Sequence, residues 1–373
     1  MAGIYIHIPF CKQACTYCDF HFSTSFTNYR QKMIDAICKE VELRKNYITD
    51  ENITTIYFGG GTPSILNNQE LNQIINKIHL TFDTKNLTEL TLEANPDDIT
   101  DEKLLDWKNC GINRLSIGVQ SFLDEDLTWM NRAHNAAESQ NAILLAKKHG
   151  FKITIDLIYG LPNTTHEKWA SNLELAILLQ PDHISAYCLT IEEKTKLNHL
   201  VNKKLIPVPG EEVQAMQFET LLKKLAAANY EQYEISNFAK NQNYAEHNTN
   251  YWKGKQYLGI GPSAHSFNSH SRSWNINNNQ LYMKGIENNT PNLEIEELTT
   301  ADQFNELILT GLRTKWGVNI NKLYEIKIPS EKFNQKLNEF INSGHLIKSQ
   351  DAILTTANGK LIVDYISSEL FME

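Results

Sequence analysis

The chain has 373 residues, 41% apolar and 21% charged, with a formal net charge of −9 and an isoelectric point near 5.8. That length exceeds one small core and points to two or three domains. The acidic balance argues against nucleic acid as the main partner, and no apolar run approaches the ~20 residues of a membrane span.

Met1–Phe10 alternates Ile4, Ile6 and Ile8 with Tyr5 and His7, which reads as a strand. It lacks the basic start and long apolar core of a signal peptide, so a cytoplasmic location is expected, where thiols stay reduced. Cys11, Cys15 and Cys18 follow at C-x3-C-x2-C spacing. Thiolates so placed on one loop hold three irons of a cubane cluster and leave the fourth without a protein ligand. A structural zinc site asks for four ligands. Asp19 and His21 are available to complete one, so zinc stands as the alternative. Cys38, Cys110 and Cys188 lie among apolar neighbours and read as inert core thiols.

Strand and helix signals then alternate. A helix is expected over Asn28–Tyr47, a strand over Ile53–Phe58 and a helix over Asn68–Leu80. Leu87–Glu93 is a strand, and Asp101–Cys110 a helix stopped by Gly111. Strands at Arg114–Val119, Lys152–Tyr159 and His183–Leu189 alternate with helices at Ala136–His149 and Glu167–Leu179. Six βα units imply a parallel sheet covered by helices, as an open barrel or a doubly wound sheet. Beyond residue 190 the rhythm fails. Val208-Pro209-Gly210 breaks the chain before a helix at Glu211–Ala228, and Tyr230–Ile235 adds a strand. Asn237–Asn279 is expected to be irregular and, being long, functional. Helices are expected near Ala301–Thr314, Asn321–Lys327 and Ser330–Ser343, then a hairpin of Leu346–Lys348 and Ala352–Thr355, and a last helix over Lys360–Leu370. That pattern resembles a winged-helix module; its near-balanced charge suits packing or protein contact better than DNA. The expected division is 1–236, 237–299 and 300–373.

In such βα folds ligands gather at the C-terminal ends of the strands. The polar signals of this chain fall there: the cysteine loop, Gly59–Ser64 (GGGTPS), Glu93 with Asn95, Gln120 and Asp156. Glycines in the GGGTPS turn let backbone amides approach a carboxylate or phosphate. Each alone is weak; together beside three cysteines they mark one site.

HIPFCKQACTYCDF, GGGTPS, LEANPD and RLSIGVQSF together resemble the radical S-adenosylmethionine (SAM) proteins of the oxygen-independent coproporphyrinogen oxidase family. The resemblance spans nearly the whole chain. It implies a partial (β/α)6 barrel, a [4Fe–4S] cluster on Cys11, Cys15 and Cys18, and SAM on the open iron. Carried over by motif, the SAM contacts are Tyr5, Gly60, Gly61, Thr62, Glu93, Gln120, Arg132 and Asp156. Read without the family, Arg132 is equally well a helix-end surface arginine. The oxidases carry a further cysteine two places after the third. Here that residue is Phe20, and only ten residues precede Cys11. Both departures match the heme-chaperone (HemW) branch, as does His247-Asn248-Thr249-Asn250-Tyr251-Trp252, an HNxxYW motif. An imidazole can ligate heme iron, and aromatic neighbours offer a porphyrin a flat surface. His247 is therefore the expected heme ligand, with His265 and His270 as competitors and a satisfied structural histidine as the bland reading. The branch implies heme as cargo and heme-accepting apoproteins, such as respiratory-chain components, as partners. It also implies SAM binding and cleavage without oxidase activity; the oxidase reading is the rival. Peripheral membrane association and a homodimer are further expectations, though no amphipathic basic helix announces the first.

Overall fold

The computed structural model describes residues 1–162, 164–207 and 209–372. Val208, placed in the expected chain break, lies outside them. In chain order the elements are β1 (Ala2–Ile8), α1 (Arg30–Leu43), β2 (Ile53–Gly60), α2 (Asn68–Thr81), β3 (Glu89–Ala94), α3 (Asp101–Asn109), β4 (Arg114–Gln120), α4 (Asp124–Trp129), α5 (Ala136–Lys148), β5 (Lys152–Tyr159), α6 (His166–Leu179) and β6 (His183–Cys188). There follow α7 (Lys196–Asn202), α8 (Glu211–Ala227), β7 (Glu231–Glu234), β8 (Asn237–Ala239), α9 (Glu246–Trp252), β9 (Tyr257–Ile260), β10 (His265–Phe267), β11 (Ser271–Asn275), α10 (Asn279–Glu287) and β12 (Leu293–Glu297). The last part holds α11 (Thr300–Leu312), β13 (Val318–Asn319), α12 (Ile320–Ile326), α13 (Glu331–Asn342), β14 (Leu346–Lys348), β15 (Ala352–Thr355), α14 (Ala357–Lys360) and α15 (Val363–Glu369).

Local chemistry sets most of these ends. Capping boxes of Asn67 with Glu70 and Asn135 with Glu138 open α2 and α5. Gly111, at φ +85°, follows α3 in a conformation a side chain would resist. α1 stops short of the expected Tyr47 because Arg44 turns inward. Its guanidinium bonds Gly259 O (3.0 Å), Ser266 Oγ (3.1 Å) and Ser273 Oγ (2.7 Å) and pairs with buried Glu40. Likewise the last helix starts at Val363, because Thr356 caps a separate short turn at Ala357–Lys360.

β1 to β6 run parallel in sequence order. One face carries Ile4, Ile6, Ile8, Ile56, Phe58, Leu90, Leu92, Leu115, Ile117, Ile153, Ile155 and Ile184, all buried in the main core. The other carries Tyr5, Tyr57, Glu93, Ser116, Asp156 and Ser185; the register pairs Tyr5 with Tyr57, Glu93 with Ser116 and Asp156 with Ser185. Parallel strands are ordinarily apolar on both faces. A polar second face marks a cleft lined for a polar ligand, as inside a partial barrel.

The expected irregularity of Asn237–Asn279 is corrected. That stretch holds β8, α9, β9, β10 and β11, and the sheet order is β12-β11-β10-β9-β1-β2-β3-β4-β5-β6-β8-β7. β9 joins β1 in parallel, and the β10–β12 meander extends that edge. These strands are three to five residues long. Runs that short, broken by Asn, Ser and Gly, leave no readable period. The final segment has its own core of Phe304, Ile308, Leu312, Leu323, Leu346 and Ile366. Its hairpin gains a third strand, β13, too short to read from sequence.

Candidate cofactor site at the barrel mouth

The cysteine loop leaves β1 at the C-terminal edge of the sheet and is pinned throughout. Cys11 N donates to Ser23 O (3.1 Å), Thr16 N to Met130 O (3.1 Å), and Leu197 N of α7 to Thr16 O (2.8 Å). Asn131 Nδ2 donates to Ala14 O (2.7 Å), and Lys12 pairs with Asp97 (2.9 Å) and Asp98. The GGGTPS turn packs under it: Gly61 N donates to Ile8 O (2.9 Å) and Thr62 N to Phe10 O (2.7 Å). Gly60 has φ +102°, and a Cβ there would lie 2.6 Å from the His7 ring. A Cβ on Gly61 would lie 2.6 Å from Phe10 O. Only glycine permits this approach.

All three loop cysteines are free thiols, Cys11 buried and Cys15 and Cys18 half-buried. Burial pushes the Cys11 thiol up to about 11 and the Cys18 thiol up to about 12. Such thiols ionise only when a cation displaces their protons, as cluster iron does. Thr62 Oγ1 donates to Cys11 Sγ and Arg132 Nη1 to Cys15 Sγ, both at 3.4 Å. Nη1 thus brings positive charge to the Cys15 thiol, and among the described residues buried Arg132 Nε has no partner. Among the described residues no three His, Cys, Asp or Glu side chains converge on a single metal ion. A cubane, with each thiolate on its own iron, does not ask for that. The donor set therefore fits a cluster.

Arg132 is no surface arginine. Nη2 donates to Asn95 Oδ1 (2.7 Å) and Gly118 O (2.9 Å), tying β3 and β4 to the loop. Gln120 sits past a break in the β4–β5 register at φ +66°, and its Nε2 lies 3.0 Å from where a Gly118 Cβ would stand. Bulges re-aim side chains in this way.

Deeper in the cleft, Glu93 accepts from Tyr57 Oη (2.7 Å), and Tyr5 stacks on Tyr57 at 6.0 Å. Burial pushes Glu93 up to about 8, with the Asp156 charge adding to it and the Tyr57 hydroxyl opposing. Burial likewise pushes Asp156 up to about 7, opposed by Ser185, Arg132 and Ser116. Two half-buried carboxyls held partly protonated form a pocket ready for a cation or for hydroxyl donors. Because the folded protein holds these protons after the unfolded chain has released them, its stability falls as pH rises through about 7 and 8. Urea midpoints of the ligand-free protein at pH 6.5 and 8.5 should show Glu93→Gln losing less stability than wild type over that interval. Parallel losses would contradict the assignment.

Tyr57 and Tyr17 were not singled out by sequence reading. Tyr57 shares the register of Tyr5, a signal available only once the strands are paired. Tyr17 lies among Arg132, Cys15, Cys18 and Asp156, and burial raises its hydroxyl.

His247 is at the opposite end of the cleft. α9 closes the floor, its first amides donated to Glu89 (2.8 Å from Glu246, 3.0 Å from His247). Arg114 pairs with Glu89 at 3.1 Å and donates to Asn243 O and Tyr244 O. The His247 ring is 2% exposed and stacks on Tyr57 at 5.2 Å. Its Nδ1 contacts Thr55 Oγ1 (2.8 Å) and its Nε2 contacts Tyr251 Oη (2.7 Å). Burial holds it neutral, lowering it to about 3. Asn248 bonds Trp252 Nε1 (2.9 Å), and Arg313 of α11's C-cap lies over the Trp252 ring at 5.5 Å. The expectation of His247 as a heme ligand thus meets a buried ring with both nitrogens engaged. His265 is exposed on β10, and His270 lies exposed in the β10–β11 turn.

The Radical SAM superfamily model matches residues 5–176. The heme chaperone HemW of Bacillus subtilis (strain 168) is 34% identical over 375 residues, covering 97% of both chains. The chain belongs to the HemW family of radical SAM proteins. The HemW protein of Lactococcus lactis subsp. lactis (strain IL1403) is 33% identical, covering 95% of this chain and 93% of its own. Among solved structures, the coproporphyrinogen III oxidase HemN of Escherichia coli superposes with a TM-score of 0.85 at 21% identity, covering 100% of this chain and 90% of its own. That likeness is one of fold. Membership of the HemW family agrees with the α/β barrel and with the cysteine loop at its mouth. Among the described residues no helix is long and apolar enough to cross a membrane.

Proposed function

We propose that the protein is a heme chaperone that holds a [4Fe–4S] cluster on Cys11, Cys15 and Cys18, binds SAM beside it, and passes heme to acceptor apoproteins. The observation that carries this reading is the three-thiol loop, clamped between Arg132 and the Gly60–Thr62 turn, in a chain that aligns end to end with heme chaperones. The cluster supplies, when bound, an electron for reductive cleavage of SAM. Arg132 offsets thiolate charge, and Thr62 orients Cys11. The amides of Gly60 and Gly61, with Thr62, suit the carboxylate end of SAM. Glu93 and Asp156 suit its ribose hydroxyls, Gln120 and Tyr5 flank them, and Tyr57 holds Glu93 in place.

Phe20, 66% exposed beside Cys18, occupies the position at which the oxidase pattern has a further cysteine, which disfavours oxidative decarboxylation. The test is a heme titration of the reconstituted protein run beside anaerobic incubation with coproporphyrinogen III. A Soret band without substrate turnover is the expected result. Turnover to the divinyl product would replace the chaperone reading with the oxidase one.

A further inference from the structure

The aromatic side chains of the cleft continue past β1 onto the added strands. Tyr57, His247, Tyr251, Tyr257 and Phe267 follow one another with ring centroids 5.2, 4.9, 4.5 and 6.2 Å apart. β9 pairs with β1 so that Tyr257 lies beside Gly3 and Gly259 beside Tyr5, on the cleft face. Phe267 pairs with Tyr257, Arg272 with Phe267 and Trp274 with His265. The cleft face therefore extends sideways as an open sheet, with His265 and Trp274 at its upper end, level with the mouth.

His265 differs there from the other histidines near the site. His7 contacts His21 O (2.8 Å) and Tyr5 Oη (3.3 Å), and His21 contacts Asn279 Oδ1 (2.7 Å). His247 has both nitrogens engaged. The His265 ring makes no hydrogen bond among the described residues; its neighbour is the Trp274 indole, stacked at 5.7 Å and 23°. It is exposed, yet close enough to His7, beneath Gly60, for their charges to interact. An imidazole with a free nitrogen, braced by a flat indole at the edge of a cofactor cleft, has the form of an axial ligand to a planar macrocycle.

Resting on the heme reading above, we propose that His265 is the axial ligand to heme iron, that Trp274 braces the His265 ring, and that His247 is a buried floor residue. Partial burial, and after it the Arg272 charge, lower the His265 imidazole below its ordinary range, which favours the neutral form that binds iron. Arg272, on the same face, offers positive charge to a propionate, with its Nη2 paired to Glu306 (2.6 Å). Exposed Glu294 and Glu296, paired in register with Trp274 and Arg272, put negative charge at the outer edge. Propionates of a bound heme would meet Arg272 or solvent rather than this edge.

The test is a heme titration of the full chain followed by absorbance, with wild type, His265→Ala and His247→Asn compared. Wild type should show the Soret band of imidazole-ligated heme. His265→Ala, an exposed change that leaves the melting curve in place, should weaken binding on the order of tenfold and shift the band, and added imidazole should restore the wild-type spectrum. His247→Asn should keep the wild-type band while lowering thermal stability. An unchanged band in His265→Ala, or a band lost only in His247→Asn, overturns the assignment and leaves the heme reading intact. No band in wild type removes the heme reading and this assignment with it.

Discussion

Cys15→Ser should abolish cluster assembly while leaving the fold in place. Reconstituted wild type should carry about four irons per chain with broad visible absorbance, and the variant close to none. The reason is the division of labour in the loop. Its path is held by main-chain bonds at Cys11, Thr16 and Ser23 and by Asn131 on Ala14 O; none of these involves the Cys15 thiol. That thiol's partner is Arg132 Nη1 at 3.4 Å. A serine keeps the acceptor but loses the soft thiolate that iron requires. Stability without metal should change by less than about 0.5 kcal/mol. Iron retained at the wild-type level in Cys15→Ser would mean that this loop does not hold the cluster. Cys110→Ser is the control, since Cys110 bonds Asn68 on the outer layer, away from the mouth.

His247→Ala should cost about 3 kcal/mol of stability, from the cavity it opens and the two hydroxyl partners it strands. Thr55 Oγ1 and Tyr251 Oη would both lose their contact in a buried site. His247→Asn, which can still meet Thr55, should lose about half as much. The effect should reach the cofactor site, because Tyr57 stacks on His247 and bonds Glu93. SAM affinity should therefore fall in His247→Ala although the ring lies at the far end of the cleft. A urea midpoint equal to wild type would show that the floor is not built around this ring. A midpoint lowered with SAM affinity unchanged would confine its role to stability.

The sequence by itself determined the order of the βα units and the polar residues gathered at their strand ends. Ile4, Ile6 and Ile8 against Tyr5 and His7, and the regular beat of strand and helix signals after them, placed the six βα units, while the polar second face emerged only once the strands were paired. Three cysteines within eight residues marked the candidate cluster loop, and the glycine turn and the acidic strand ends marked its neighbours. These signals are local: each needs only a period or a spacing inside one element.

Tertiary structure decided what depends on distant partners. β8 to β11 were unreadable because strands of three to five residues show no clear period and gain stability only by adding to an existing sheet edge. Arg132 could be read as a surface arginine until Asn95, Gly118 and Cys15 closed around it. Tyr57 became part of the site only when register set it beside Tyr5 and Glu93. The histidines show the limit most clearly. The HNxxYW motif makes His247 the expected imidazole and leaves His265 a competitor. Which one is free depends on Thr55, Tyr57 and Tyr251 surrounding the first and on open space beside Trp274 at the second. A hydrogen bond between residues 192 positions apart leaves no trace in either stretch, because it is made by the packing of α9 against β2.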